Sequence, residues 1–289
     1  MKSCISTYSY FQLYGGGSFT HFDAIDKTKE LGCDGVEFVL GDTPPDGSTP
    51  REFALALTAH AREAGLEVPI YTTGADFFCA DPEAAVERIC RHIDIAAECG
   101  IGLLRHDVAY GYYEGYDGIR TYKKVIEKVA PLIARVAEYA KSKGVRTCTE
   151  NHGRLLQDSD RMLELFTAVN HPNYGFLCDI GNFGSADENC AVAVSKLLDL
   201  IVHVHVKDVL IRSGMSYAPG RGFGRSRGGS YRRGTIFGHG DVPAFQILSA
   251  IKESGYDGYL SLEFEGMEPV IEAIEIGTEN MQRMIGDLA

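Results

Sequence analysis

The sequence predicts an α/β chain built as a (β/α)8 TIM barrel. Two observations carry this. Short apolar or β-branched runs alternate with segments of helical period, which implies a parallel sheet with helices packed outside it. Eight such strand–helix units fill the 289 residues, and eight units in about 250 residues are what a barrel of this kind requires. A doubly wound open sheet is the competing arrangement. It is weakened at the first turn, where Gly15-Gly16-Gly17 is not the G-x-G-x-x-G of a dinucleotide site.

The elements follow in order. Strand-like runs occupy Ser3–Tyr8, Gly35–Leu40, Glu67–Tyr71, Gly102–Val108, Val145–Glu150, Tyr174–Asp179, Ile201–Val206 and Gly258–Glu263. Helical segments occupy Phe19–Leu31, Pro50–Ala64, Pro82–Cys99, Gly118–Lys143, Ser159–Ala168, Asn189–Leu198, Val242–Ser254 and Glu268–Ile285. Five helical runs stop at a glycine, Gly32, Gly65, Gly100, Gly144 and Gly255, where a left-handed cap has no Cβ to accommodate. No composition break marks a linker. The chain therefore reads as one domain over 1–289, with an Arg/Gly-rich loop insertion at about 211–237.

Composition excludes several classes. Hydrophobic residues at 45% and charged residues at 24% are ordinary for a globular chain, not for collagen, a coiled coil or a disordered chain. No apolar run approaches the ~20 residues of a membrane span, and the N-terminus lacks a signal-peptide pattern. The eight cysteines form no C-x-x-C and sit largely in apolar runs. They read as reduced, buried small side chains, so a cytoplasmic location is expected. A net charge of −12 argues against nucleic acid as a partner. The charge is uneven, however: Val209 to Gly240 holds six arginines and no acid, leaving −18 on the rest.

In a parallel barrel, chemistry collects at the C-terminal strand ends. Four successive strands end in or near Glu150, Asp179, His205 and Glu263, and period-2 alternation allows each to face the mouth. Each alone also fits a cap, a turn acid or a core histidine. Together they form a mostly oxygen donor set, suited to one Mn²⁺ or Mg²⁺, with Co²⁺ and Zn²⁺ as further candidates. His205 is preferred over His203, and Glu263 over Glu265, because each lies nearer its strand end; Asp208 reads as a loop carboxylate. Arg105 and His106 are expected substrate contacts. Glu37 reads as a substrate contact or as a buried partner for Arg105.

The runs Thr149-Glu150-Asn151-His152-Gly153, Cys178-Asp179-Ile180-Gly181-Asn182, His203-Val204-His205-Val206-Lys207-Asp208 and Tyr256 to Glu263 resemble the xylose isomerase-like sugar isomerase/epimerase superfamily. That group includes ketose 3-epimerases, inosose isomerases and dehydratases, hydroxypyruvate isomerases and apurinic-site endonucleases. The resemblance covers nearly the whole chain. It implies that Glu150, Asp179, His205 and Glu263 hold one metal and that Glu150 and Glu263 act as an acid/base pair. Asn182 matches a position often occupied by a substrate-contacting His, and His239 in Gly238-His239-Gly240-Asp241 replaces an acid of a family turn. With His152 and Lys207, these complete the expected substrate-binding set.

The expected activity is a metal-dependent isomerase or epimerase of carbohydrate metabolism, moving a proton at carbon through an enediolate on a keto-sugar or polyol. A dehydratase or other lyase is the alternative. A phosphodiester hydrolase of the endonuclease branch ranks third, since three of the nine histidines, His21, His60 and His92, fall in helices. Aromatics after the first, third and fourth strands (Tyr8, Tyr10, Phe11, Tyr14; Phe77, Phe78; Tyr110, Tyr112, Tyr113, Tyr116) are stacking or loop-packing candidates. The arginine insertion reads as a lid for an anionic substrate, as an arm within a homo-oligomer, or as a solvated loop.

Overall fold

The computed structural model describes residues 1–288. In chain order the first half runs β1 (Lys2–Ser6), α1 (Phe11–Tyr14), α2 (His21–Glu30), β2 (Gly35–Val39), α3 (Pro50–Glu63), β3 (Tyr71–Thr73), α4 (Pro82–Glu98), β4 (Leu103–His106), α5 (Tyr122–Ser142) and β5 (Arg146–Glu150). The second half runs α6 (Ser159–Val169), β6 (Tyr174–Asp179), α7 (Cys190–Ser195), β7 (Ile201–Val206), β8 (Asp208–Arg212), β9 (Gly224–Arg225), β10 (Tyr231–Thr235), α8 (Ala244–Glu253), β11 (Tyr259–Leu262) and α9 (Val270–Asp287).

Eight parallel strands close into a barrel in the order β1-β11-β7-β6-β5-β4-β3-β2, with helices outside. Local chemistry explains the helix starts. Thr20 with Asp23, and Thr49 with Glu52, form reciprocal capping boxes, and Pro50 supplies a pre-set φ at the first turn of α3. Asp81, Thr121, Asp158 and Asn189 each accept a backbone N–H from the first turn of the helix they precede. The third strand lies later than its apolar run suggests. Glu67 makes only an isolated bridge to Gly35, and the ladder resumes at Tyr71; Pro69, between them, has no N–H to give.

Alternation divides the core. Phe176, Cys178, Val204 and Val206 face the helices in the main apolar cluster, whereas Cys148 and Leu177 join Ile70 in a small separate cluster. Glu150 and Asp179 share the face of that inner pair, each two residues further on. One irregularity sets their neighbour. Between β6 and β7 the register passes from Phe176↔Ile201 to Leu177↔His203, so Val202 is an extra residue. The bulge places His205 opposite Asp179. Gly175 makes room for it: a Cβ there would lie 2.5 Å from a Val202 methyl carbon.

The arginine-rich insertion is folded. β8, β10 and β9 form a three-stranded antiparallel sheet that follows β7 after Lys207. It is fastened to the barrel through Arg212–Asp241 at 3.0 Å, Arg233–Glu268 at 2.9 Å and an Arg227–Asp158 pair. Gly234 allows close approach, since its Cβ would meet the Glu265 carbonyl oxygen at 2.5 Å. All eight cysteines are free. Among the described residues no helix is long and apolar enough to cross a membrane.

Candidate active site

The strand ends bring Glu150, Asp179, His205 and Glu263 together, one donor atom of each within 4.8 Å of the others. All four side chains are buried. His205 Nδ1 lies 3.9 Å from a Glu150 oxygen and 3.8 Å from a Glu263 oxygen, and it has no hydrogen-bond partner. Its other nitrogen, Nε2, is engaged by both Glu37 oxygens at 2.9 and 3.0 Å. Asp179 is divided in the same way. Its Oδ1 accepts the backbone N–H groups of Gly181 and Asn182 at 2.8 and 2.9 Å, while Oδ2 has no hydrogen bond and faces the Lys207 ammonium at 2.9 Å.

This donor set fits a divalent cation. A buried imidazole nitrogen without a partner and a half-used carboxylate converge with two further carboxylates, a mostly oxygen donor set of the kind divalent cations take. Glu37 supplies the carboxylate behind the histidine that such sites commonly have. A second grouping, Glu37 with His203 and His205, is internally bonded. His203 Nε2 reaches Ser261 Oγ at 2.8 Å and Glu37 at 3.3 Å, one layer below the mouth. Thr72 Oγ1 donates to Glu37 at 2.9 Å. Glu37 is thus the support of the two histidines, and not a partner bonded to Arg105.

Two cations balance these acids. Arg105 pairs with Glu150 at 2.6 Å and with Asp107 at 2.8 Å. Burial opposes the Glu150 carboxylate, but Arg105 and then His205 hold it well below the usual range. Asn182 Nδ2 donates to its other oxygen at 2.8 Å. Lys207 pairs with Glu263 and, at 3.2 Å, with Glu265. Burial pushes the Glu263 carboxyl up, offset only in part by Lys207 and His205, with Glu150 and Glu265 adding to the rise. The two carboxyls therefore differ in proton affinity because of their surroundings.

These groups line a cavity of about 200 Å³ whose walls include Tyr8, Arg105, Asp107, Glu150, His152, Lys207, Glu263 and Glu265. His152 Nδ1 bonds Asp107 Oδ1 at 2.9 Å. Burial lowers this imidazole's affinity for a proton, but Asp107 and Glu150 raise it overall. Two expected contacts lie elsewhere. His106 is fully buried, its Nδ1 at 2.8 Å from the Asp107 carbonyl and its ring against Phe77 and Tyr174; burial brings its pKa down to about 4. Its place follows from alternation, which turns Arg105 and Asp107 inward and His106 outward. His239 is exposed, because the Gly238 and Gly240 N–H groups turn inward onto Asp208 Oδ2 at 2.9 and 2.8 Å.

Asp107 and Glu265, both cavity walls, were not among the expected contacts. Alternation signals them, since Asp107 follows Arg105 by two residues and Glu265 follows Glu263 by two. Of the aromatics, Tyr8 lines the cavity, Tyr110 donates to Asp107 at 3.1 Å, and Phe78 packs against Tyr112, Tyr113 and Tyr116.

The sequence profile of the xylose isomerase-like TIM barrel matches residues 25–284. The chain belongs to that family. Among curated relatives of this xylose isomerase-like barrel is the inosose dehydratase of Clostridium perfringens, 25% identical over 145 residues, 47% of this chain and 46% of that protein. The chain thus spans about half the length of that relative. The rhizopine catabolism protein MocC of Rhizobium meliloti is 26% identical over 288 residues, 93% of this chain and 83% of that protein. An L-ribulose 3-epimerase structure superposes with a TM-score of 0.75 at 17% identity, covering 99% of this chain and 95% of that one. At that identity the likeness establishes the fold.

Proposed function

We propose that this xylose isomerase-like barrel is a divalent-metal-dependent isomerase or epimerase acting on a keto-sugar or related polyol. The observation that carries the reading is that Glu150 and Glu263 both approach His205 Nδ1, at 3.9 and 3.8 Å, and both line one cavity. Glu150, Asp179, His205 and Glu263 would hold the cation, Mn²⁺ or Mg²⁺ by donor type. A bound cation of this kind supplies polarisation of a substrate carbonyl and its neighbouring hydroxyl, which acidifies the C–H bond beside them.

The side chains do the proton work. Glu150, kept ionised by Arg105 and oriented by Asn182, takes the proton from carbon. Glu263, whose carboxyl is raised by burial, returns one from its own side of the cavity. Return to the neighbouring carbon is isomerisation; return to the same carbon from the other side is epimerisation. Lys207 donates to the oxygen on which negative charge gathers. Arg105 and Tyr8 form part of the cavity wall.

A second reading has its own support. His152 stands in the cavity wall with its proton affinity raised by Asp107, a fitting acid for a departing β-hydroxyl, and the inosose dehydratase relative bears on the same outcome. Metal analysis of the purified protein, followed by keto-sugar and inosose panels in ²H₂O, separates these readings. Solvent deuterium at carbon without loss of water marks isomerase or epimerase; loss of water marks the lyase. Glu150→Gln and Glu263→Gln are expected to abolish exchange while preserving the fold. No exchange on any panel member, or exchange that survives both substitutions, overturns the proposal.

A further inference from the structure

We infer that the folded insertion builds an anion subsite beside the reacting centre, so that the substrate is a sugar derivative carrying a phosphate or carboxylate away from its reacting carbon. This rests on the reading of the centre given above and names the substrate class. A second cavity, of about 120 Å³, adjoins the first and shares His152, Lys207 and Glu265 with it. Its remaining charged walls are Arg154, Arg225, Arg227 and Arg232. Glu265 is its one carboxylate wall, already facing Lys207 at 3.2 Å.

The arginines divide by partner. Arg212, Arg227 and Arg233 are consumed in fastening the sheet to barrel acids. Arg154, Arg225 and Arg232 have no carboxylate partner among the described residues, in a chain with net charge −12. Acids to neutralise them are abundant, so three arginines left without one in a single cavity are suited to an outside anion. Arg225 is aimed: Nη1 donates to the Gly229 carbonyl at 3.0 Å, Nη2 donates to Tyr231 Oη at 2.8 Å, and its guanidinium carbon stands 4.5 Å from the Tyr231 ring centre. Arg232 lies on the opposite face of β10 from Tyr231 and Arg233. That face includes Gly234, which meets the Glu265 backbone, so it is the face toward the barrel mouth. Arg232 Nε is buried without a partner.

An independent observation points to a ligand at the same place. Ser185, 5% exposed, is a wall of this cavity, and its Oγ has no hydrogen-bond partner. A hydroxyl donor beside planar guanidinium forks is a recognition set for a phosphate or carboxylate. Asn182 ties the two cavities together, lining the arginine cavity while its amide donates to Glu150.

The test compares a ketose, its terminal phosphate ester and the matching terminal keto-acid by kcat/KM for solvent exchange. Wild type is expected to favour one anionic form over the neutral ketose by about 100-fold. Which anion prevails tells phosphate from carboxylate. Arg232→Ala, and separately the exposed Arg154→Ala, should reduce that preference about tenfold, mainly through KM, with Arg232→Lys recovering part. Equal preference for neutral and anionic forms, or a preference untouched by both alanine variants, overturns the subsite. If no sugar exchanges at all, the proposed reaction has failed and a binding readout decides the subsite alone. Metal-stripped wild type titrated at low salt with inorganic phosphate and with malonate should bind one of them, and Arg232→Ala should weaken that binding about tenfold. Absence of binding by either anion, or binding indifferent to the substitution, refutes the subsite.

Discussion

Replacing Glu37 by glutamine changes one buried atom type and leaves volume almost constant. Glu37 is fully buried, contacts His205 Nε2 through both oxygens at 2.9 and 3.0 Å, and also receives Thr72 Oγ1 at 2.9 Å. Burial disfavours this carboxylate, yet His205 and His203 hold it well below its ordinary range, so it is an anion that fixes the proton on Nε2. That leaves Nδ1 free to face Glu150 and Glu263. The amide introduced by Glu37→Gln would offer one carbonyl oxygen and an NH₂ group, and the NH₂ would favour the opposite tautomer. Loss of such a supporting carboxylate typically weakens metal binding 10- to 100-fold, which is about 1.4–2.8 kcal/mol. Titration calorimetry with Mn²⁺ on the metal-stripped protein measures it directly. Thermal unfolding in EDTA checks that the fold survives. A Kd within about threefold of wild type, with an unchanged Tm, would refute the argument that Glu37 orients His205 for metal.

Two other outcomes follow from packing and burial. Gly175→Ala forces a Cβ to within 2.5 Å of Val202 and should destabilise by about 1–3 kcal/mol; urea unfolding reads this, and Val202→Ala in the same chain should recover part of it. A midpoint unchanged by Gly175→Ala would show that the bulge yields freely. For the thiols, burial raises Cys4, Cys33, Cys148, Cys178 and Cys190 above their ordinary value, so thiolate is scarce at pH 8 and reagent access is blocked as well. A native thiol-disulfide titration at pH 8 should therefore label at most Cys79 and Cys90, the two half-buried cysteines, with all eight reacting in denaturant. Prompt labelling of a core thiol would contradict the packing.

The barrel was legible because its signals are local. Each strand declares itself by an apolar run and each helix by period and caps. Strand Tyr71–Thr73 lies later than its apolar run for a local reason too, since the run begins before Pro69 and pairing resumes only after it. The three acids and one histidine at the mouth were legible because they stand at or near the ends of four strands. Their neighbours were harder. His106 looked like a contact because it stands at a strand end, yet alternation had already assigned that face to Arg105 and Asp107. Glu37 lies mid-strand, and its bonds to His203 and His205 span 166 and 168 residues. No window on the sequence contains both partners. The same holds for the bulge at Val202, which is a mismatch between two strands and so has no signature in either.

The insertion shows what composition alone conceals. Six arginines without an acid read equally well as lid, arm or open loop. Pairing Tyr231 with Arg212 and with Arg225 brings segments together that no local pattern links. Once the sheet forms, strand alternation sorts the arginines by face. Arg233 is turned to Glu268 as an anchor, while Arg232 faces the mouth without an acid. The local reversal of charge thus does two physical jobs. Part of it cancels acids of the barrel and holds the sheet against it. Arg225 and Arg232 keep no carboxylate partner and line the cavity beside Lys207 and Glu265, where clustered like charge raises the local potential felt by an anion.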